Sequence, residues 1–262
     1  MNVLVFLSGV SDPKAVLPKL VVQDGALQET VQGKRILSPF DEAALEVALK
    51  MRDKNPAVRV AVYLAGGAND DFLLKAVAAL RPDQLRRLDL APLATWNAPA
   101  LAGRLAATIA ATTPAPALVL IGREFGDCED GSLAPYLAAL LGWSFLPLAQ
   151  EAHWQGEQLI LLRELGATEE SVTVTVPFLA SVTNDRRNRL RHPLLKNVMA
   201  ARKESFASIE AGTAGAIPQL RLRSVGPAHS PARQKACQLL EGDLPAQAAQ
   251  LAAILLKGAH AS

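Results

Sequence analysis

Between Ile121 and Ser132 the chain reads Ile-Gly-Arg-Glu-Phe-Gly-Asp-Cys-Glu-Asp-Gly-Ser, a glycine-flexed loop leading from an apolar run into an Ala/Leu-rich segment. Backbone N–H groups at a helix start carry partial positive charge and suit a phosphate. Asp127, Glu129 and Asp130 work against that, because carboxylates favour the helix dipole but repel an anion. Asp130 or Ser132 would serve equally as an ordinary helix cap. Cap and phosphate cradle both stay open on these residues.

A second unusual stretch spans 184–199, Asn-Asp-Arg-Arg-Asn-Arg-Leu-Arg-His-Pro-Leu-Leu-Lys-Asn-Val-Met. Charges in front of adjacent leucines fit either a solvated basic loop whose leucines fold back into the core, or a docking peptide with an apolar anchor and steering charges. A third opens a helix at Ser38-Pro39-Phe40-Asp41, where Ser38 can cap, Pro39 suits the first helical position, and Asp41 stands three residues after the cap. Phe40, Ala44, Val47, Ala48 and Met51 then form an apolar stripe, with Asp41, Glu42, Glu46 and Lys50 expected on the wet side. Phe40 sits at the mouth of that helix, as a packing staple or as a ligand contact.

Other chemistry finds little material. His153, His192, His229 and His260 are scattered, without helical pairing and without a neighbouring cysteine, so a metal site lacks support. Cys128 and Cys237 belong to no CxxC and are too few for a disulfide framework, which fits a reducing compartment. Neither the serine-hydrolase elbow GxSxG nor the nucleotide fingerprints GxGxxG and GxxxxGK[ST] occur.

The elements that must position these residues alternate. Val3–Leu7, helix 38–54, Val58–Leu64, helix 70–80, Leu85–Leu90, helix 97–111, Ala117–Ile121 and helix 132–142 predict a Rossmann-like α/β fold, a parallel sheet with helices on both faces. Ligands of such sheets lie beyond the carboxyl ends of the strands, here the loops Ser8–Pro13, Ala65–Asp70 and Gly122–Gly131. Leu159–Leu162, Val172–Val176 and Phe178–Thr183 read as antiparallel or edge strands that extend the sheet. After Glu210 the chain turns rich in Gly, Ala and Pro, with a short strand expected at Leu220–Val225 and a closing helix near Pro245–Lys257. We therefore expect a main domain over 1–206 and an extended C-terminal arm over 207–262.

The 262 residues are half hydrophobic, enough for one large core, and 27 basic against 25 acidic residues give a net charge of only +2. Without a basic stripe interleaved with aromatics, nucleic-acid binding is not expected. The apolar run at Val3–Leu7 is too short and lacks a basic start for a secretory signal, and no run reaches the length of a membrane span. A cytoplasmic protein is the expectation.

Taken together in order, several segments resemble the β subunit of electron transfer flavoproteins. A V-x-D turn ends the first strand at Val10-Ser11-Asp12, and the family's N-P-F-[DE]-E-x-A-[LV]-E-x-A is matched from Ser38 to Ala48. Its D-L-V-L-x-G-[KR]-Q is similar to Ala117–Glu124, and its L-G-W to Leu141-Gly142-Trp143. The R-E-x-x-G-x-x-E segment and P-A-V-x-[TS]-V strand resemble Arg163–Glu169 and Pro177–Val182. Finally P-S-L-P-N-I-M-x-A-[KR]-K is similar to Pro193–Lys203.

The resemblance implies an adenine nucleotide α-hydrolase-like fold and a heterodimer with an α subunit that carries most of one FAD. The pair would move electrons from flavin-dependent dehydrogenases to an acceptor such as a quinone oxidoreductase. It implies that Phe40 lies beside the flavin ring and that Leu195 is the partner-binding leucine of a recognition loop. The family's AMP positions fall at Phe6, Gly66, Asp127, Ser132 and Leu133. Here Ser132 and Ala134 stand where the family has Gln and Gly, Phe6 replaces a small residue, and Ser8-Gly9 replace a basic pair. Those departures argue against AMP, or a second FAD, being held in the usual way. Ala76–Asp83 also lacks the family's glycine turn, and Lys196 replaces a recognition-loop proline. Two other readings remain: a stand-alone adenine-nucleotide-binding regulator of the universal-stress type, and a degenerate scaffold subunit of a larger dehydrogenase complex.

Overall fold

Side chains of the central strand alternate between two apolar layers, and the rest of the architecture follows from covering both. The structure, a computed structural model, describes residues 1–16, 20–23, 26–29, 34–67, 70–90, 97–126, 131–212, 224 and 239–259. In chain order the elements are β1 (Asn2–Leu7), β2 (Val10–Ser11), β3 (Leu20–Gln23), β4 (Ala26–Glu29), β5 (Arg35–Ile36), α1 (Pro39–Lys54), β6 (Arg59–Ala65), α2 (Asp71–Ala78), β7 (Gln84–Asp89), α3 (Ala98–Ala111) and β8 (Leu118–Gly122). They continue with α4 (Leu133–Leu141), β9 (Ser144–Ala149), β10 (Glu151–Gln155), β11 (Gln158–Leu165), β12 (Thr168–Val174), β13 (Phe178–Val182), α5 (Leu195–Ala201), β14 (Ser208–Glu210) and α6 (Leu244–Ala259). The chain divides into two compact units, Met1–Arg223 and Ser224–Ser262, of which the second contains α6.

The main sheet has seven strands in the order β14-β7-β6-β1-β8-β13-β9, all paired in parallel. Val3, Val5 and Leu7 enter a core with Val47, Leu49 and Met51 of α1 and Leu74 and Val77 of α2, while Leu4 and Phe6 enter one with Leu101 and Leu105 of α3 and Leu137 of α4. Burial on both faces is why β1 and β8 read as continuous apolar runs.

Phe178–Val182 is not an edge strand: it lies between β8 and β9, buried throughout. Nor do the strands around Leu159–Leu162 and Val172–Val176 extend the sheet. They form, with β10, a separate antiparallel sheet ordered β10-β11-β12, whose Ala152, Leu159 and Leu161 join the core on the α1 side. The main sheet stops because β9 makes a poor template. Pro147 removes a donor, Leu148 takes a left-handed φ of 61°, and the register slips between Ala180 and Val182. Gln150 N then donates to Leu162 O at 2.8 Å, so the chain crosses into the second sheet. The strand expected at Leu220–Val225 lies, apart from Ser224, outside the described residues.

Helix α1 departs most from its expected orientation. Asp41 and Glu46, placed on the wet side by periodicity, are buried, at 0 % and 3 % exposure. The cause is cover from two directions, because α1 packs on β1 and β8 and also on β10.

Candidate functional site

The carboxyl ends of β1, β6, β8 and β13 converge on the start of α1, and polar contacts lock this end of the sheet. Ser38 and Asp41 form a reciprocal capping box, the Ser38 Oγ accepting from Asp41 N at 3.0 Å and the Asp41 carboxylate from Ser38 N at 3.2 Å. The same carboxylate also accepts from Gly9 N at 2.9 Å and Ser8 N at 3.3 Å, which ties the loop after β1 to the helix. Burial pushes Asp41 above the usual carboxylate range, opposed by these bonds from Gly9, Ser38 and Ser8.

Arg35 bridges the next pair of loops. Its guanidinium donates to the carbonyls of Ser8 at 2.7 Å and Gly9 at 3.1 Å, and pairs with buried Asp70 at 2.9 Å. Asp70 in turn accepts from Gly67 N at 2.9 Å. Gly66 permits this, since a Cβ there would come within 2.5 Å of the Asp70 carboxylate.

Phe40 stands over the end of β8. A Cβ on Gly122 would lie 3.0 Å from the Phe40 Cβ, so the glycine lets the helix start seat directly on the strand end. The Arg123 guanidinium carbon is 5.0 Å from the centre of the half-buried Phe40 ring, a cation–π contact, and Arg123 also pairs with Glu124 at 2.7 Å. Beside this helix start a cleft of about 340 Å³ runs between Pro39 and Glu42 on one side and Asn184, Asp185, Arg186 and Arg189 on the other.

The remaining sequence-derived positions fall in several places. Phe6 is wholly buried and meets Tyr63 edge-on at 5.9 Å and 73°, in the same apolar cluster as Leu133. Ser132 occupies the N-cap position of α4, but its side chain makes no cap hydrogen bond, contrary to the capping role open to it. Asp127 and Asp130 lie outside the described residues. Leu195 opens α5 with 76 % of its surface exposed, next to exposed Leu194 and Met199.

The arginine-dense stretch is neither simply solvated nor simply a steering patch. Arg187 pairs with Glu164, with Glu169 at 2.9 Å and with Asp185 at 3.4 Å. Arg191 grips Glu46 through Nε and Nη2, at 3.0 and 2.9 Å, and also pairs with Asp53. These arginines staple the loop to the second sheet and to α1, which leaves the leucines after Pro193 projecting. Arg35 and Asp70 escaped the sequence reading, because no periodicity or motif marks a clamp between loops. Among the described residues no group of three or more His, Cys, Asp or Glu is placed to hold a metal ion, and no helix is long and apolar enough to cross a membrane.

A family model described as Electron transfer flavoprotein domain matches residues 28–214. Among curated proteins the chain is similar to the electron transfer flavoprotein subunit beta of Bradyrhizobium diazoefficiens, 29% identical over 185 residues that cover 70% of this chain and 72% of that one. It is likewise similar to the electron transfer flavoprotein subunit beta of Homo sapiens, 27% identical over 197 residues that cover 74% of this chain and 73% of the other.

Proposed function

The chain belongs to the electron transfer flavoprotein domain family, and on that premise we propose that it is the β subunit of a heterodimeric electron carrier. One observation carries the reading: the likeness to β subunits extends over nearly three quarters of both chains. An α subunit would hold most of one FAD, and this chain would close over it with the surface around Phe40.

The residues present suit that task. Phe40 offers an aromatic ring at the open end of the sheet, its backbone seated closely on Gly122, which has no Cβ to block the approach, and Arg123 places a cation against the ring face. When bound, FAD supplies the electron-accepting and electron-donating chemistry. The chain itself shields and positions: Phe40 excludes water, and the Ser38–Asp41 box with the Arg35–Asp70 clamp fixes the loops that frame the ring. No proton-transfer role is assigned to it. Leu195, exposed with Leu194 and Met199, suits the transient docking of a flavin-dependent dehydrogenase, after which electrons pass to a separate acceptor.

The adenine-nucleotide positions fit less well. Phe6 and Leu133 are core side chains rather than the walls of an open pocket. AMP, or a second FAD, is accordingly not held in the family's usual way.

Co-expression with a candidate α subunit tests the reading. The expected product is a yellow one-to-one complex that releases one FAD and no AMP, with the lone chain colourless. A stable colourless homodimer of this chain that carries ATP or AMP would overturn it in favour of a universal-stress-type regulator. A yellow complex unable to exchange electrons would mark a scaffold subunit.

A further inference from the structure

Beyond the carrier reading, a groove of the first unit lies behind the segment that presents Leu194 and Leu195. It is a cavity of about 630 Å³ between α2 and the segment 189–193, with β5 at one end and α5 at the other. Its floor is apolar, built from Phe72, Leu73, Ala76, Leu80, Leu190 and Val198. That volume falls in the range of about 300–1,000 Å³ typical of small-molecule sites.

The rim is cationic. Arg35 and Arg191 are committed to Asp70 and to Glu46 with Asp53. Lys75, Arg189 and Arg202 also line the groove, and among the described residues no carboxylate lies within ion-pair distance of them. Glu42 is the single carboxylate in the lining, and the charge of Arg189 acts on it in the opposite sense to its burial. Burial and Asp41 push Glu42 above its usual range, which weakens its opposition to an incoming anion. Apolar floor and unpartnered cationic rim together define the complementary ligand: one apolar tail with one anionic head.

We infer that this groove binds a small amphipathic anion, a single-tailed carboxylate of the fatty-acid class, its tail on the α2 floor and its head between Lys75 and Arg202. A fatty alcohol of equal length has the tail without the charge and so separates the two contributions. Its loss of charge-assisted contacts should weaken binding about tenfold.

Titration calorimetry on the full chain with monomeric decanoate and decanol is the test. Decanoate should bind about tenfold more tightly than decanol, and the double variant Lys75→Glu/Arg202→Glu should lose about that factor for decanoate alone. Ala76→Trp, at an exposed floor position, should abolish binding of both. Equal affinity for acid and alcohol in the unaltered chain overturns the inference, as does decanoate binding that survives Ala76→Trp. Attachment to vesicles of anionic lipid without binding of monomeric decanoate would overturn it too, and assign the groove to a membrane surface.

Discussion

Asp41→Ala should lower the unfolding free energy by about 3 kcal/mol, a fall in Tm of roughly 6–12 °C for a chain of this size. The wild-type carboxylate is fully buried and satisfies the N–H groups of Ser8, Gly9 and Ser38. Alanine leaves all of them without an acceptor, and each such buried donor costs about 1–3 kcal/mol, offset in part by removing a desolvated charge. Asp41→Asn should cost less. Oδ2 serves Gly9 and Ser38 while Oδ1 serves Ser8, so an amide with its oxygen at Oδ2 keeps the first two bonds and opposes only Ser8.

The pH dependence has a definite sign. Because burial raises the folded carboxyl above its unfolded value, Asp41's contribution is fullest in acid, below the ordinary carboxylate range. It declines as pH rises through the higher folded value. Chemical denaturation of wild type and Asp41→Asn across the acid range should show this decline in the first and its absence in the second. A parallel pair of curves would refute the assignment.

Arg191→Ala should destabilise by about 2–3 kcal/mol, less than a wholly buried pair would lose, because the Arg191 side chain is 34% exposed while that of Glu46 is 4% exposed. Among the described residues, the substitution leaves Glu46 with only the backbone N–H of residue 191 as donor. Arg191→Lys should recover part of the loss, since an ammonium cannot reproduce the fork made by Nε and Nη2. The double variant Arg191→Leu/Glu46→Leu should be more stable than Arg191→Ala, because no buried charge is left unpaired. Additive single effects in a double-mutant cycle would contradict the pairing. The prediction bears on function as well, since Arg191 holds the segment that presents Leu194 and Leu195.

Much of this was legible in sequence wherever the signal is local. The capping box at Ser38–Asp41 is a short-range pattern, and the fully apolar runs of β1 and β8 announce burial on both faces. Long-range partners were not legible. Asp41 looks like an ordinary helix-start acid until Ser8 and Gly9 arrive from 33 and 32 residues away, and Glu46 looks solvent-facing until Arg191 arrives from 145 residues away. The second sheet is not legible because alternation reveals a strand but not its neighbour, whereas Pro147 marks in sequence where the main sheet ends. Asp24-Gly25 separates Leu20–Gln23 from Ala26–Glu29, a strong hairpin pattern, and those strands pair with Gln23 opposite Ala26. At the candidate site, Phe40 stood out by type and position, whereas Arg35 and Asp70 gain meaning only from the loops they join.

We propose that FAD in the complex meets this chain at Phe40. Its most direct test is the visible absorbance and fluorescence of FAD in the one-to-one complex, compared between wild type and Phe40→Ala. Unchanged stoichiometry with a shifted flavin band and increased fluorescence is expected for Phe40→Ala, as the ring loses an aromatic neighbour and gains water. Superimposable spectra from the two complexes would contradict it.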